Sequence, residues 1–308
     1  MAKAIETLPS GLKVGHASLG ALGDIQGSVR QQTYDGDTII VDPTGNLGLR
    51  FLGVDAPEVS FPLPGGTAFV SIADPRWAEF LENPFDTAYG AIDPPLDPPL
   101  EASLAARVGP GATANHAELA KAAERALEAL IESDIAALQQ TPETFRFFCS
   151  FANEVMDAYG RLLCYINRDQ PDADDPEPRP KSYNERLLAL GHVTPYFIWP
   201  NLDPYRPPKR PVDAVPVPNT VAPAEVTVEE LESLDAARES VRQARLQGLG
   251  IFDPANPLRV YPFELRFLSR RKPPERWVID LSAGDDLLRE PQSYHLIPKV
   301  EDRLFVPE

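Results

Sequence analysis

Cysteine and long apolar runs are scarce in this 308-residue chain, which contains only two cysteines. Two cysteines cannot build a disulfide framework. No stretch approaches the ~18 apolar residues that a membrane-crossing helix needs, so the sequence excludes a spanning protein and predicts no membrane partner. No apolar stretch follows the opening Met-Ala-Lys-Ala-Ile-Glu, so no signal peptide is visible. We therefore expect a cytoplasmic protein, with export left open.

Positive charge is also in short supply. Lysine and arginine number 29 against 46 aspartates and glutamates, which gives a net charge of −17. Broad, non-specific binding to nucleic acid depends on neutralising phosphates, so this balance argues against it but leaves room for a local basic site. The one dense basic cluster comprises Arg266, Arg270, Arg271, Lys272 and Arg276. We interpret it as a solvated, salt-bridged face, with a nucleic-acid contact as the alternative.

Proline, in contrast, is abundant. There are 34 prolines, roughly twice the usual share of ~5%. They concentrate in residues 60–115, 170–180 and 200–223. Because proline interrupts helices and central strands, we read these tracts as loops, and residues 60–115 as a stiff insertion that does not collapse into the core.

Hydrophobic periodicity indicates strands and helices between these tracts. Apolar residues at helical spacing predict a helix over residues 117–139, and a second helix is predicted from Ser182 to Leu190 with Gly191 as its stop. Thr227 and Glu230 form a capping box for a third, charged helix. We divide the chain into a flexible arm (1–27), a main domain (28–255) and a C-terminal extension (256–308).

Carboxylates and arginines set on predicted strands carry the chemical information. Asp37 follows a tight Asp-Gly turn, and Asp55 and Glu58 follow the strand that contains Arg50. Oxygen ligands of this kind suit calcium or magnesium rather than zinc. Arg50 and Arg161 beside a bound cation would make a phosphate site. Each piece by itself also fits an ordinary turn or a solvated arginine.

The order of the motifs resembles the staphylococcal nuclease (thermonuclease) family. The matching segments are Asp35-Gly36-Asp37-Thr38, the strand from Arg50 to Asp55-Ala56-Pro57-Glu58, Asp157-Ala158-Tyr159-Gly160-Arg161, the pair Asn184-Glu185, and Ala236 to Phe252 with its final Gly-Ile-Phe. They cover roughly half of the chain. The resemblance implies an α+β fold, with a five-stranded OB-type barrel and three helices, to which this chain adds proline-rich insertions and the C-terminal extension.

The resemblance also implies a calcium-dependent nuclease, an endonuclease that hydrolyses phosphodiester bonds of DNA and RNA. Asp37 and Asp55 would bind Ca²⁺ through their carboxylates, and Ala56 through its backbone carbonyl. Glu58 would orient or deprotonate the attacking water. Arg50 and Arg161 would clamp the phosphate.

Nucleotide contacts are implied for Tyr159, Phe197 and Trp199. Two departures from the family affect binding: Ala158 stands where the family archetype has a lysine, and Phe197 and Trp199 stand where it has tyrosines. Both of these side chains can still stack on a base. We expect single-stranded DNA or RNA as substrate, because the insertion beginning at residue 60 would narrow the groove.

Two other interpretations stay open. The chain would be a non-catalytic nuclease-like module that binds nucleic acid or protein, although such modules typically lose the acidic and arginine residues retained here. Alternatively, the insertions would cover an intact site, so that the substrate is short or held by a partner.

Overall fold

The structure is a computed structural model that describes residues 3–8, 13–15, 17–22, 25–26, 41–202, 233–284 and 287–306. The chain divides into two compact units. The small unit comprises Met1–Phe51 and Asn153–Cys164, and the large unit comprises Leu52–Ala152 and Tyr165–Glu308. Helices and strands both occur, in several separate sheets, so the predicted α+β class is confirmed.

Short paired strands make up the small unit. Its antiparallel pairs are β1 (Ile5–Thr7) with β2 (Lys13–Gly15), β3 (Ala17–Leu19) with β6 (Val41–Pro43), and β4 (Ala21–Leu22) with β5 (Ile25–Gln26). β7 (Leu49–Phe51) pairs in parallel with the first residues of β12 (Leu162–Arg168). The segment predicted as a flexible arm, residues 1–27, therefore contains paired strands where it is described.

The large unit is organised around a five-stranded sheet. Its strands are β8 (Gly53–Asp55), β13 (Thr194–Ile198), β14 (Trp277–Asp280), β15 (Leu288–Arg289) and β16 (Arg303–Val306), in the order β15-β14-β16-β13-β8. β13 runs parallel to β16 and antiparallel to β8. Three of the five strands thus come from the predicted extension, so the boundary at residue 255 does not separate two compact units.

Two further strand pairs complete the β-structure of the large unit. β9 (Ser60–Pro62) pairs with β10 (Phe69–Ser71), and β11 (Phe147–Ser150) pairs with the last residues of β12, both antiparallel. Across the described ranges the strands form open sheets and hairpins, and no set of them closes into a barrel.

The described helices are α1 (Pro75–Glu82), α2 (Pro98–Ala105), α3 (Ala112–Ala137), α4 (Tyr183–Ala189), α5 (Ser233–Leu246) and α6 (Pro262–Arg270). Short 3₁₀ turns lie at Thr87–Tyr89, Gly250–Phe252, Pro291–Leu296 and Val300–Asp302. The predicted helices at 117–139 and 182–190 are confirmed as α3 and α4, while Thr227 and Glu230 lie outside the described residues. In the part of the chain that is described, no helix has the length and apolar character to cross a membrane.

Prolines begin helices here as well as breaking them. Pro75, Pro98 and Pro262 occupy the first turns of α1, α2 and α6. The first helical position lacks an intrahelical partner for its N–H group, so proline costs nothing there and its fixed φ favours the helix. Asp74 caps α1 by accepting a hydrogen bond from the Arg76 backbone N–H at 3.0 Å. A proline-rich segment can therefore still supply helices to a core.

The main hydrophobic core joins the proline-rich insertion to the C-terminal residues. The insertion contributes Phe61, Ile72, Trp77, Phe80, Leu81, Leu96, Leu100 and Leu104, and the C-terminal part contributes Val260, Leu265, Phe267, Leu268, Val278, Tyr294, Ile297 and Phe305. The expectation that residues 60–115 stay out of the core is therefore wrong. Pro75 and Pro98 start the helices that carry five of these side chains: Trp77, Phe80, Leu81, Leu100 and Leu104.

Candidate functional site

Asp55 and Glu58 lie at the edge of the five-stranded sheet. Asp55 is the last residue of β8 and pairs with Thr194 of β13. The Thr194 hydroxyl donates a hydrogen bond to the backbone oxygen of Asp55 at 2.9 Å, which fixes the end of the strand. Pro57, which has no N–H group to continue the ladder, follows β8 in the irregular segment that leads to Glu58. Both predicted carboxylates are thus held on one short loop.

Arg266 joins the two carboxylates. It lies on α6, in the predicted extension, and its Nη1 and Nη2 atoms donate to Oδ1 and Oδ2 of Asp55 at 2.9 and 2.8 Å. The same Nη1 also donates to Oε1 of Glu58 at 2.7 Å. Because a guanidinium presents parallel donors in a fixed plane, it matches the carboxylate of Asp55 with two hydrogen bonds.

Burial makes this contact energetically important. The Asp55 side chain is fully buried, whereas Arg266 and Glu58 retain 17% and 23% side-chain exposure. Burial alone lowers the pKa of Arg266, but the charges of Asp55 and Glu58 outweigh it and raise the pKa above its usual value. Removing one partner of such a buried pair leaves an uncompensated charge, at a cost of about 3–5 kcal/mol.

His116 holds the backbone of the same loop. This fully buried histidine of α3 accepts a hydrogen bond at Nε2 from the Glu58 backbone N–H, at 2.8 Å. Its Nδ1 lies 3.2 Å from the backbone oxygen of Val260. Since Nε2 must accept, the proton belongs on Nδ1, and the ring is neutral. Burial lowers the pKa of His116 to about 4.

The small unit contains a second group of predicted residues. β7 and β12 pair in parallel with Leu49 opposite Leu162 and Arg50 opposite Leu163. Side chains alternate between the faces of a strand, so this register puts Arg50 and Arg161 on the same face. Gly48 leaves room beside Arg161, because a Cβ at that position would lie 3.2 Å from the Arg161 Cγ.

Asp157 and Tyr159 fix the position of Arg161. The Asp157 carboxylate accepts hydrogen bonds from the backbone N–H of Arg161 at 3.0 Å and from its Nε at 2.7 Å. Partial burial raises the pKa of Asp157, but these hydrogen bonds outweigh it and the pKa lies below its usual value. The guanidinium lies 5.3 Å from the ring centre of Tyr159, which is 52% exposed.

The remaining predicted residues are less informative. Asp37 lies outside the described residues, and Ala56 is half-buried in the loop between Asp55 and Glu58. Phe197 is buried beside Gly53 and lines a cavity of about 250 Å³ in the large unit. This is the position of a core side chain, and its stacking on a base stays a prediction. Trp199 is half-buried, and its backbone N–H donates to the oxygen of Phe305 at 2.8 Å.

The described residues do not fit the calcium ion that the resemblance implies. Calcium binds six to eight oxygen atoms at 2.3–2.6 Å. Both carboxylate oxygens of Asp55 instead accept hydrogen bonds from Arg266, which also binds Glu58. Within the described ranges, no group of three or more histidine, cysteine, aspartate or glutamate residues is placed to hold a metal ion. Arg266 supplies one positive charge at this loop.

Sequence reasoning missed Arg266 and His116. It treated Arg266 as part of a solvated basic face, but the cluster is not one surface: Arg266 binds carboxylates, Arg271 donates to the backbone oxygens of Pro84 and Gly90, and Arg270 lies over the ring of Phe61. One available signal was the apolar character of residues 262–269, since a charged residue in a buried helix is normally paired. The partner itself has no signal in the sequence.

Comparison of the whole chain with known proteins is negative: no family model, curated protein or solved structure matches it.

Proposed function

We propose that this protein is a phosphodiesterase that cleaves single-stranded DNA or RNA, in the manner of the staphylococcal nuclease family. The proposal includes the finer architecture, an OB-type barrel of five strands with three helices. The observation that carries it is the loop on which Asp55 and Glu58 are held together, because hydrolysis of a phosphodiester needs an oriented water. Glu58 retains 23% side-chain exposure and is the candidate to orient or deprotonate that water.

The arginines of the small unit supply the second half of the proposal. The attack of water on a phosphodiester builds negative charge on the phosphate oxygens, and guanidinium groups stabilise such charge when they are held in place beforehand. Arg161 is held by Asp157 and Tyr159, and Arg50 shares its face. In the proposed reaction both arginines bind the scissile phosphate.

A second candidate function is a non-catalytic module that binds nucleic acid or protein. The observation that favours it is the pairing of Asp55 and Glu58 with Arg266, which leaves these carboxylates engaged within the protein. The net charge of −17 opposes broad binding to a polyanion, so within this candidate it favours a protein partner over a nucleic acid. Cleavage and binding measured side by side separate the two candidates.

The test is a cleavage assay on labelled single-stranded DNA and RNA, with calcium and then with a chelator of calcium. We expect cleavage by the wild type, and a loss of about 10²–10⁴-fold in E58Q, the range for losing a general base. R161K should lose about 10²-fold or more, because lysine cannot make the paired hydrogen bonds of arginine. Calcium dependence stays a prediction that the same assay examines.

Two control variants carry the same substitutions at exposed positions outside the proposed site. Glu79 is an exposed glutamate of α1 and Arg125 an exposed arginine of α3, so E79Q and R125K should cleave as the wild type does. Near-normal cleavage in folded E58Q and R161K would refute the proposed roles. Binding of labelled strands without cleavage, under every metal condition, would favour the non-catalytic module.

A further inference from the structure

The large unit contains a cavity of about 250 Å³, which residues of α4, α5, β8, β12 and β13 line. The core of a protein seldom holds a void larger than a water molecule, and an empty apolar cavity lowers stability in proportion to its volume. A ligand that filled this cavity would therefore stabilise the folded protein. The buried apolar side chains of its lining include Leu52, Ile166, Leu188, Phe197, Leu202 and Ala237.

Polar side chains of the lining are bound within the protein. Asn184 donates from Nδ2 to the Leu52 oxygen at 2.8 Å, and its Oδ1 accepts from the Ile166 N–H at 3.0 Å. The Tyr165 hydroxyl donates to the Leu202 oxygen at 2.5 Å. Because these groups are committed to the fold, a molecule inside the cavity would meet mainly apolar surface.

Two basic side chains lie where the cavity opens to solvent. Arg179 and Lys181 both line the cavity and are exposed. The backbone oxygen of Pro180, between them, accepts a hydrogen bond from Nδ2 of Asn167 at 2.8 Å, and Nη2 of Arg179 donates to the backbone oxygen of Gln170. These bonds tie the loop to the end of β12 and to the residues that follow it. The two positive charges are thus held at the opening before a ligand arrives.

Glu185 is the one acidic side chain among the described residues that line the cavity. Its carboxylate accepts hydrogen bonds from the backbone N–H and the hydroxyl of Ser182, at 3.0 and 2.6 Å, in the capping box of α4. Arg179 and Lys181 therefore bring two positive charges to the lining against one negative charge that the helix cap already engages. One singly charged anionic group balances this excess, whereas a dianion such as phosphate would exceed it.

We propose that this cavity binds a small apolar monocarboxylate, with the hydrocarbon part among the buried side chains and the carboxylate at Arg179 and Lys181. A cavity of ~150 Å³ holds one benzene molecule, so 250 Å³ corresponds to roughly ten non-hydrogen atoms, the size of octanoate. Asp55, Glu58 and Arg266 do not line the cavity. The inference therefore goes beyond the proposed function and does not depend on it.

The experiment is a calorimetric titration of the full-length wild type with sodium octanoate and, separately, with octan-1-ol, which has the same chain length and no charge. We expect octanoate to bind with a Kd on the order of 0.1–1 mM, as the size of the ligand allows. Octan-1-ol should bind about two- to fivefold more weakly, the range for losing one solvent-exposed ion pair. Absence of octanoate binding would overturn the proposal, and so would equal affinity for the two ligands.

Two variants with matched controls locate the ligand. A237L extends a side chain of α5 into the cavity and should weaken octanoate binding at least about tenfold, because it occupies the space of the hydrocarbon chain. A129L makes the same change at an exposed position of α3 and should bind as the wild type does. K181Q should lower the affinity for octanoate to that for octan-1-ol, while K299Q, at another exposed lysine, should not.

Thermal unfolding shows whether A237L folds. If it does not, K181Q still decides, because Lys181 is exposed and its replacement leaves the core unchanged. Equal octanoate affinity in K181Q and wild type would overturn the proposal, and so would wild-type binding in a folded A237L. None of these measurements involves cleavage, so octanoate binding by a protein that never cuts nucleic acid would keep this inference and leave the proposed function refuted.

Discussion

Replacing His116 with glutamine tests how the Asp55–Glu58 loop is held. Glutamine offers an oxygen that can accept the Glu58 backbone N–H and a nitrogen that can donate to the Val260 oxygen, but it does not titrate. The neutral histidine ring makes the same two hydrogen bonds: Nε2 accepts from the Glu58 N–H, and Nδ1–H donates to the Val260 oxygen. A protonated ring would bring a second N–H against the Glu58 N–H, so the folded protein resists taking up the proton.

The size of the effect follows from the pKa. Burial lowers the pKa of His116 from 6.5 to about 4 in the folded state, and each pKa unit corresponds to about 1.4 kcal/mol, which gives about 3 kcal/mol in all. The unfolded chain takes up the proton below pH 6.5, but the folded protein does not until about pH 4. The wild type therefore loses up to about 3 kcal/mol of stability as the pH falls through this window.

Urea unfolding at several pH values between 7 and 4 measures this loss. H116Q shares every other titrating group, so the difference in unfolding free energy between it and the wild type isolates the histidine. N115A is the matched control, because Asn115 is a buried neighbour that hydrogen-bonds Asn256 and does not titrate. It should lower stability equally at every pH. Parallel pH curves for wild type and H116Q would refute the reasoning.

Two further predictions concern the fold. W77A should lower the unfolding free energy by about 3–5 kcal/mol, because Trp77 is fully buried in the shared core. F69A is the control, because Phe69 lies in the same insertion but is 64% exposed, and it should lower the unfolding free energy far less. Equal losses in the two variants would place the insertion outside the core. D134A should cost about 3–5 kcal/mol, because it leaves the fully buried Arg168 without a carboxylate that lies 3.4 Å from its Nη1. A loss below about 1 kcal/mol would show that Glu177, which lies 3.0 Å from the same Nη1, is by itself a sufficient partner for Arg168.

The sequence by itself determined the features that depend on neighbours along the chain. Apolar residues at helical spacing predicted α3, and a helix from Ser182 to Leu190 with Gly191 as its stop was predicted where the structure has α4. Gly191 has a φ of 67°, and a Cβ there would collide with the backbone of Leu249, so glycine meets both a local and a tertiary need. Such signals are readable because capping and periodicity act within a few residues.

Only the tertiary structure decided which charges meet. Arg266 and Asp55 are separated by 211 residues, and their contact depends on α6 lying beside the end of β8. The sequence showed that carboxylates and arginines were present. An arginine can pair with a distant carboxylate or remain in solvent, and which of the two occurs depends on whether the fold buries its side chain. The same holds for Pro75 and Pro98, which begin α1 and α2, because apolar side chains from the C-terminal part of the chain complete the core of these helices. Long-range packing thus placed a guanidinium where local motifs predicted a metal ion.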